Sequence, residues 1–162
     1  MTISAGDKLP DATLLRIGAH GPEQVGLAAY LADRRVVIFA VPGAFTPTCH
    51  TAHMPSFIRT KAALDAKGID EVVCLSVNDP YVMQVWAEAT GAASAGITML
   101  ADSEGTFTRA MGMSFDAPSI GLIARSQRYA MMVENGMVKI MNHETGGDDC
   151  PVSGGEAMLA AL

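Results

Sequence analysis

The chain has 162 residues, 49% hydrophobic and 17% charged, enough apolar side chains for one domain over 1–162 with a sizeable core and too many for a disordered polymer. A net charge of −6 without any basic cluster excludes nucleic acid and anionic membrane as partners. The longest uninterrupted apolar stretch, 36–41, is far shorter than the roughly 20 residues that span a bilayer, and the N-terminus lacks a charged-then-apolar leader, so a cytosolic (cytoplasmic) protein with no membrane partner is expected.

Taken in chain order, Ala5 to about Arg34 reads as an N-terminal extension. Residues 36–41 form a short run rich in β-branched side chains, the pattern of a buried strand, and 47–67 then reads as a helix that Pro55 should kink. Gly68 ends that helix; 71–77 is the next buried strand, and Asp79-Pro80 opens a second helix through Trp86 and Ala89. Residues 97–100 form a third strand and 103–111 a short helix. Residues 120–133 and 137–142 then frame an Asn135-Gly136 turn of the kind that closes antiparallel hairpins. A helix over about 156–162 finishes the chain, and there is no internal repeat. This order predicts an α/β fold, a thioredoxin-like three-layer sandwich with a central mixed sheet and the N-terminal extension added to it.

The residue that carries chemistry in this pattern is Cys49, at the end of Val41-Pro42-Gly43-Ala44-Phe45-Thr46-Pro47-Thr48-Cys49, where the first strand stops and a helix begins. Thr46 suits the N-cap, Pro47 the first helical position and Cys49 the third, so the Thr46 hydroxyl is expected to accept from the Cys49 N–H. Unpaired first-turn N–H groups and the positive end of the helix dipole favour sulfur as S⁻. A cysteine with pKa near 8.5 is only about 3% thiolate at pH 7, and lowering that pKa to about 6 raises the share roughly thirty-fold.

The run Pro42-x-x-x-Thr46-x-x-Cys49 resembles the active-site signature of the peroxiredoxins. Cys74-Leu-Ser-Val-Asn-Asp-Pro80, the segment through Trp86, and Arg125-Ser-Gln-Arg128-Tyr-Ala-Met131 with Glu134-Asn-Gly after it narrow the likeness to the type II, peroxiredoxin-5-like branch, from about Gly6 to Leu162. The resemblance implies a thiol peroxidase that reduces hydrogen peroxide and alkyl hydroperoxides through a Cys49 sulfenic acid, with no cofactor. It also implies glutathione, glutaredoxin or thioredoxin as reductant, and a homodimer formed through the active-site edge. By the same resemblance Arg128 is the active-site arginine, Thr46 orients the peroxide through its hydroxyl, and Pro42 shields the sulfur from water. The backbone N–H groups of Thr48 and Cys49 would donate to peroxide oxygens. The family often has glycine where Thr48 stands, a change that leaves the backbone donor in place.

Other readings compete at several positions. A lone arginine is more often a surface ion-pair partner than a catalytic group; Arg125, three residues from Arg128 in one presumed strand, should face away from the site. His50 and His53 beside Cys49 suggest a metal site, but two further ligands are missing nearby, so no metal is expected, with His53 packed near the site and His50 partly solvated. Methionines such as Met131, Met132, Met137 and Met141 read as adaptable packing. A sulfenic acid at Cys49 has three routes back. Cys150, in polar, glycine-rich Gly146-Gly-Asp-Asp-Cys150-Pro, is expected to be mobile and exposed and resembles the resolving cysteine of animal peroxiredoxin-5 enzymes. Cys74 matches the second cysteine of plant type II enzymes, yet lies mid-strand. An external thiol is the third. A non-enzymatic redox-sensing or chaperone-like thioredoxin-fold module would keep Cys49 but need no donor for a leaving oxygen.

Overall fold

The computed structural model describes residues 2–146 and 149–162. The N-terminal extension is itself built from elements: strands β1 (Thr13–Gly18) and β2 (Gly21–Gly26) pair as an antiparallel hairpin, and a short helix α1 (Leu27–Leu31) follows. Strand β3 (Arg35–Val41) is buried along almost its whole length, as are β4 (Glu71–Ser76) and the end of β5 (Thr98–Ala101). Such continuous apolar runs are what a sheet covered on both faces requires. Between them lie α2 (Met54–Ala66), α3 (Pro80–Thr90) and α4 (Ala92–Ala95), and beyond them α5 (Thr106–Ala110). The Asp79 carboxylate caps α3 by accepting from the Val82 N–H at 2.9 Å.

The remaining strands depart from expectation. The single strand over 120–133 is two: β7 (Leu122–Ser126), which pairs with β6 (Ser114–Ala117) in a separate ribbon, and β8 (Tyr129–Glu134), which joins the main sheet. The Gln127 N–H turns aside to donate to the Met113 carbonyl at 2.7 Å, and Ala124 adopts a left-handed φ of 52°, so the chain leaves one sheet before entering the other. The hairpin from β8 to β9 (Met137–His143) does close at Asn135 and Gly136, both with positive φ, 49° and 78°, as this tight turn demands. Helix α6 (Gly155–Ala161) completes the chain.

The main sheet has seven strands in the order β2-β1-β5-β4-β3-β8-β9, parallel across β5, β4 and β3 and antiparallel elsewhere. Alternate side chains of β3 serve two cores. Val37, Phe39 and Val41 pack with Phe57, Trp86 and Met158 under α2, α3 and α6, while Val36, Ile38 and Ala40 pack with Leu27, Leu31, Phe107 and Met111 under α1 and α5. Two helical layers around a mixed sheet are the thioredoxin-like three-layer sandwich. Both parallel strands β3 and β4 end at one edge, and the segment after β3 carries Cys49.

Helix formation does begin at Pro47, but residues Cys49–His53 form a π-helical turn before α2, with the Met54 N–H bonded back to the Cys49 carbonyl. Pro55 explains it. Its ring has no N–H to give and would press on the carbonyl four residues earlier, and one widened turn relieves both problems where a kink was expected.

Candidate active site

Local interactions fix the approach to the sulfur. After β3 the chain turns tightly over 43–46, with Phe45 at φ 63°. The Ala44 N–H donates to Asn78 Oδ1 at 3.0 Å, so the loop is pinned to the end of β4. The Thr46 carbonyl accepts the first helical bond from the His50 N–H at 2.9 Å, which makes Thr46 the N-cap residue. Its hydroxyl, expected to accept from the Cys49 N–H, instead donates to the Gly43 carbonyl at 2.6 Å. That bond occupies its proton and leaves oxygen lone pairs for another donor.

Cys49 is fully buried. Arg128, in the gap between β7 and β8, donates from Nη2 to Cys49 Sγ at 3.2 Å and from Nη1 to His53 Nδ1 at 3.0 Å. His53 Nε2 lies 2.8 Å from the Ser153 carbonyl. A carbonyl only accepts, so the imidazole proton is on Nε2, and the Nδ1 lone pair is free to receive the arginine. Burial first, and then the Arg128 charge, pull the His53 pKa down to about 3, so the ring is neutral and the guanidinium has a firm acceptor on one side and the sulfur on the other.

Arg125 corrects the period-two reading. Because β7 and β8 are separate strands, both arginines reach the same region: Arg125 Nη1 donates to the Pro42 carbonyl at 3.2 Å. Gly43 lies against that guanidinium, for a Cβ there would sit 2.6 Å from Arg125 Nη1. A cavity of about 560 Å³ opens beside Arg128, lined by Pro42, Thr46, Pro47, Thr48 and Arg128, with Phe115, Ile120 and Leu122 as apolar walls and Gln127 and Glu144 as polar ones; Cys49 lies buried behind this lining. Pro42, Thr46, Thr48, Cys49 and Arg128 are thus brought together.

The other two thiols are placed differently from one another. Cys74 is fully buried in β4, in register between Phe39 and Met99, and burial pushes its thiol well up. Cys150, expected to be exposed and mobile, is only 9% exposed, and burial raises its pKa against the opposing pull of Arg128. The cause is the turn it belongs to. Glu144 Oε2 accepts from the Val152 N–H at 3.1 Å and from the Ser153 N–H and hydroxyl, each at 3.0 Å, and the Gly154 N–H donates to the Cys150 carbonyl at 3.1 Å. Of the glycine-rich stretch on which the expectation rested, Gly147 and Asp148 lie outside the described residues. All three thiols are free.

The histidines have other partners than a metal. Trp86 Nε1 donates to His50 Nδ1 at 3.0 Å, Phe45 stacks on the His50 ring, and His143 Nε2 pairs with Gln127 Oε1 at 2.7 Å. Among the described residues no group of three or more His, Cys, Asp or Glu side chains is arranged to hold a metal ion, and no helix is long and apolar enough to cross a membrane. Sequence reasoning missed the contact of His53 with Arg128, for which the spacing of four from Cys49 was a signal, and the parts played by Ser153 and Glu144, for which there was none.

A buried cysteine in the first turns of a helix, at the strand edge of a thioredoxin-like sheet and with a guanidinium on its sulfur, is an arrangement suited to thiol chemistry. Residues 4–159 match the Redoxin family model. The chain is 46% identical over 165 residues to the chloroplastic Peroxiredoxin-2E-2 of Oryza sativa subsp. japonica, covering 99% of this chain and 73% of that protein. It is 42% identical over 161 residues to Peroxiredoxin-2C of the same plant, covering 99% and 98%. The crystal structure of reduced Prx3 from Vibrio vulnificus in complex with hydrogen peroxide superposes with a TM-score of 0.93 at 42% identity, over 99% of each chain. The chain belongs to the peroxiredoxins, in their type II branch, and is a thiol-dependent peroxidase.

Proposed function

We propose that this protein reduces hydrogen peroxide and alkyl hydroperoxides through a sulfenic acid on Cys49. The thiolate attacks the distal oxygen of ROOH; the S–O bond forms as the O–O bond breaks, giving Cys49–SOH and RO⁻, which takes a proton from water in the pocket to leave as ROH. The observation that carries this reading is the Arg128 donor 3.2 Å from Sγ. A fixed cation beside the reacting sulfur stabilises negative charge as it shifts from sulfur to the leaving oxygen. Thr46, whose hydroxyl proton is held by Gly43, is suited to accept from the peroxide O–H, and Pro42 and Pro47 wall the pocket against water.

For the return step we favour an external thiol, with glutathione, glutaredoxin or thioredoxin as the reductant. It attacks Cys49–SOH to release water and leave a mixed disulfide, and a second thiol then restores Cys49 and departs as the disulfide. The burial of Cys74 and Cys150 supports this order of preference, since burial holds both thiols in the less nucleophilic SH form. A homodimer meeting at the active-site edge belongs to the same reading, supported by the exposed Phe45, Ile120 and Ile123 near the pocket. A cytosolic location is supported by three unpaired cysteines.

The test combines kinetics with mass spectrometry. Cys49→Ser should abolish peroxide turnover, and Arg128→Ala should lower the rate constant for peroxide by roughly 10²- to 10³-fold, the scale of losing one preorganised charge-stabilising donor. Wild-type turnover in Arg128→Ala would remove the mechanism. After one equivalent of peroxide without added thiol, a lone oxygen adduct on Cys49 is expected; a 49–150 or 49–74 disulfide would replace the external route by an internal one.

A further inference from the structure

The hydrogen bonds around Arg128 continue beyond His53 into a closed circuit. The Glu144 N–H donates to the Arg128 carbonyl at 3.0 Å, so the two backbones are direct neighbours beyond the β8–β9 hairpin. The Glu144 side chain then reaches forward to the turn before α6, where its single oxygen Oε2 gathers the Val152 N–H, the Ser153 N–H and the Ser153 hydroxyl. Ser153 is fully buried, and its carbonyl receives His53 Nε2. His53 in turn receives Arg128, and Arg128 holds Cys49.

We propose that Glu144 is a positioning residue for Arg128, acting through the 152–153 turn and His53. The carboxylate fixes where the Ser153 carbonyl points; that carbonyl selects which imidazole nitrogen carries the proton; the tautomer presents an acceptor to Arg128 Nη1 and leaves Nη2 aimed at the sulfur. Without the clasp, the Nε2 end of the imidazole loses its fixed acceptor and only the Arg128 donor at Nδ1 is left to hold the tautomer. The opposite tautomer would turn an N–H toward the guanidinium, donor against donor, and swing Arg128 off the sulfur. Reactions that depend on positioned groups lose about 10²-fold for displacements near 1 Å. The turn is otherwise independently seated, since the Gly155 N–H donates to Ser56 Oγ at 2.9 Å, so removing the carboxylate loosens the turn without undocking α6.

This inference rests on the peroxidase reading for its kinetic half, and the experiment therefore has a second readout. Full-length wild type, Glu144→Ala and Glu144→Gln are compared by stopped-flow oxidation of Cys49 with hydrogen peroxide, and by nitrogen-15 NMR of the His53 ring. Glu144→Ala should slow oxidation by about ten- to hundred-fold and move the two ring-nitrogen shifts of His53 towards a tautomeric average. Glu144→Gln, whose amide oxygen still accepts from the two backbone N–H groups, should return both readouts to within about three-fold of wild type or to the wild-type shifts. If Glu144→Ala does not fold, Glu144→Asp, one methylene short of the turn, takes its place. The proposal is overturned if Glu144→Ala, or Glu144→Asp in its place, keeps the wild-type rate and shifts, or loses rate with the His53 tautomer unchanged. An inactive wild-type protein would count against the peroxidase reading and leave the nitrogen shifts alone to decide the clasp.

Discussion

Arg128 makes two unlike bonds at once, to a sulfur and to an imidazole nitrogen, from two nitrogens held in one plane, a fixed spacing that the single nitrogen of an ammonium does not offer. The imidazole matters because it is neutral. The unfolded chain takes a proton on His53 near the ordinary histidine value of about 6.5, whereas the folded chain resists it down to about 3. Between those values the unfolded state binds more protons, so stability falls as the pH drops from about 6.5 towards 3, with a slope of at most about 1.4 kcal/mol per pH unit from this residue, and is unaffected above that window. His53→Gln keeps one donor for Ser153 and one acceptor for Arg128 but cannot titrate. Urea denaturation at a series of pH values should therefore show a shallower acid slope for His53→Gln than for wild type, with the two curves parallel above pH 7; equal slopes at low pH would show that the ring is not held neutral.

At the scale of elements, the βα units were legible because each depends on neighbours in sequence. The apolar run of β3, the Asp79 cap of α3 and the Asn135-Gly136 turn are all local signals, and each element stands close to where those signals put it. The break between β7 and β8 was not legible, because the bond that diverts Gln127 goes to Met113, a partner that only the fold brings near. The docking of α6 on α2 belongs to the same category. Gly155 sits so close to Thr60 and the Ser56 carbonyl that a Cβ would collide with both, one of them rigid backbone. Gly155→Ala should lower stability by about 1–3 kcal/mol, the usual cost of overpacking, seen as a lower urea midpoint. Because Ser153 lies only two residues before this contact, the same substitution should also slow peroxide reduction. An unchanged midpoint would mean that the helix pair can spread freely.

Across the whole molecule, the sheet divides stability from function. Phe39 stacks on Phe57 with centroids 4.1 Å apart and meets the His53 ring at 5.1 Å, whereas Ile38, its neighbour in β3, faces the opposite core. Phe39→Ala should cost about 3–5 kcal/mol and Ile38→Ala about 2–5 kcal/mol. Only the first removes packing from the ring that holds Arg128. At a temperature where both variants are folded, the peroxide rate constant should fall at least several-fold for Phe39→Ala and stay near wild type for Ile38→Ala. Equal losses would mean that the two cores act on the site as one.

The sequence by itself determined the place of Cys49 just after the first buried strand, the residues that start its helix and the alternation of strands and helices, because these follow from interactions within a few residues of one another. Tertiary structure alone decided where Arg128 aims, where the proton of His53 rests and how deeply Cys150 is buried. The contacts responsible join residues 79 apart for Arg128 and Cys49, and 100 apart for His53 and Ser153. No local propensity encodes a bond between such distant partners; it exists only once the packed sheet and the docked C-terminal turn hold both ends in place.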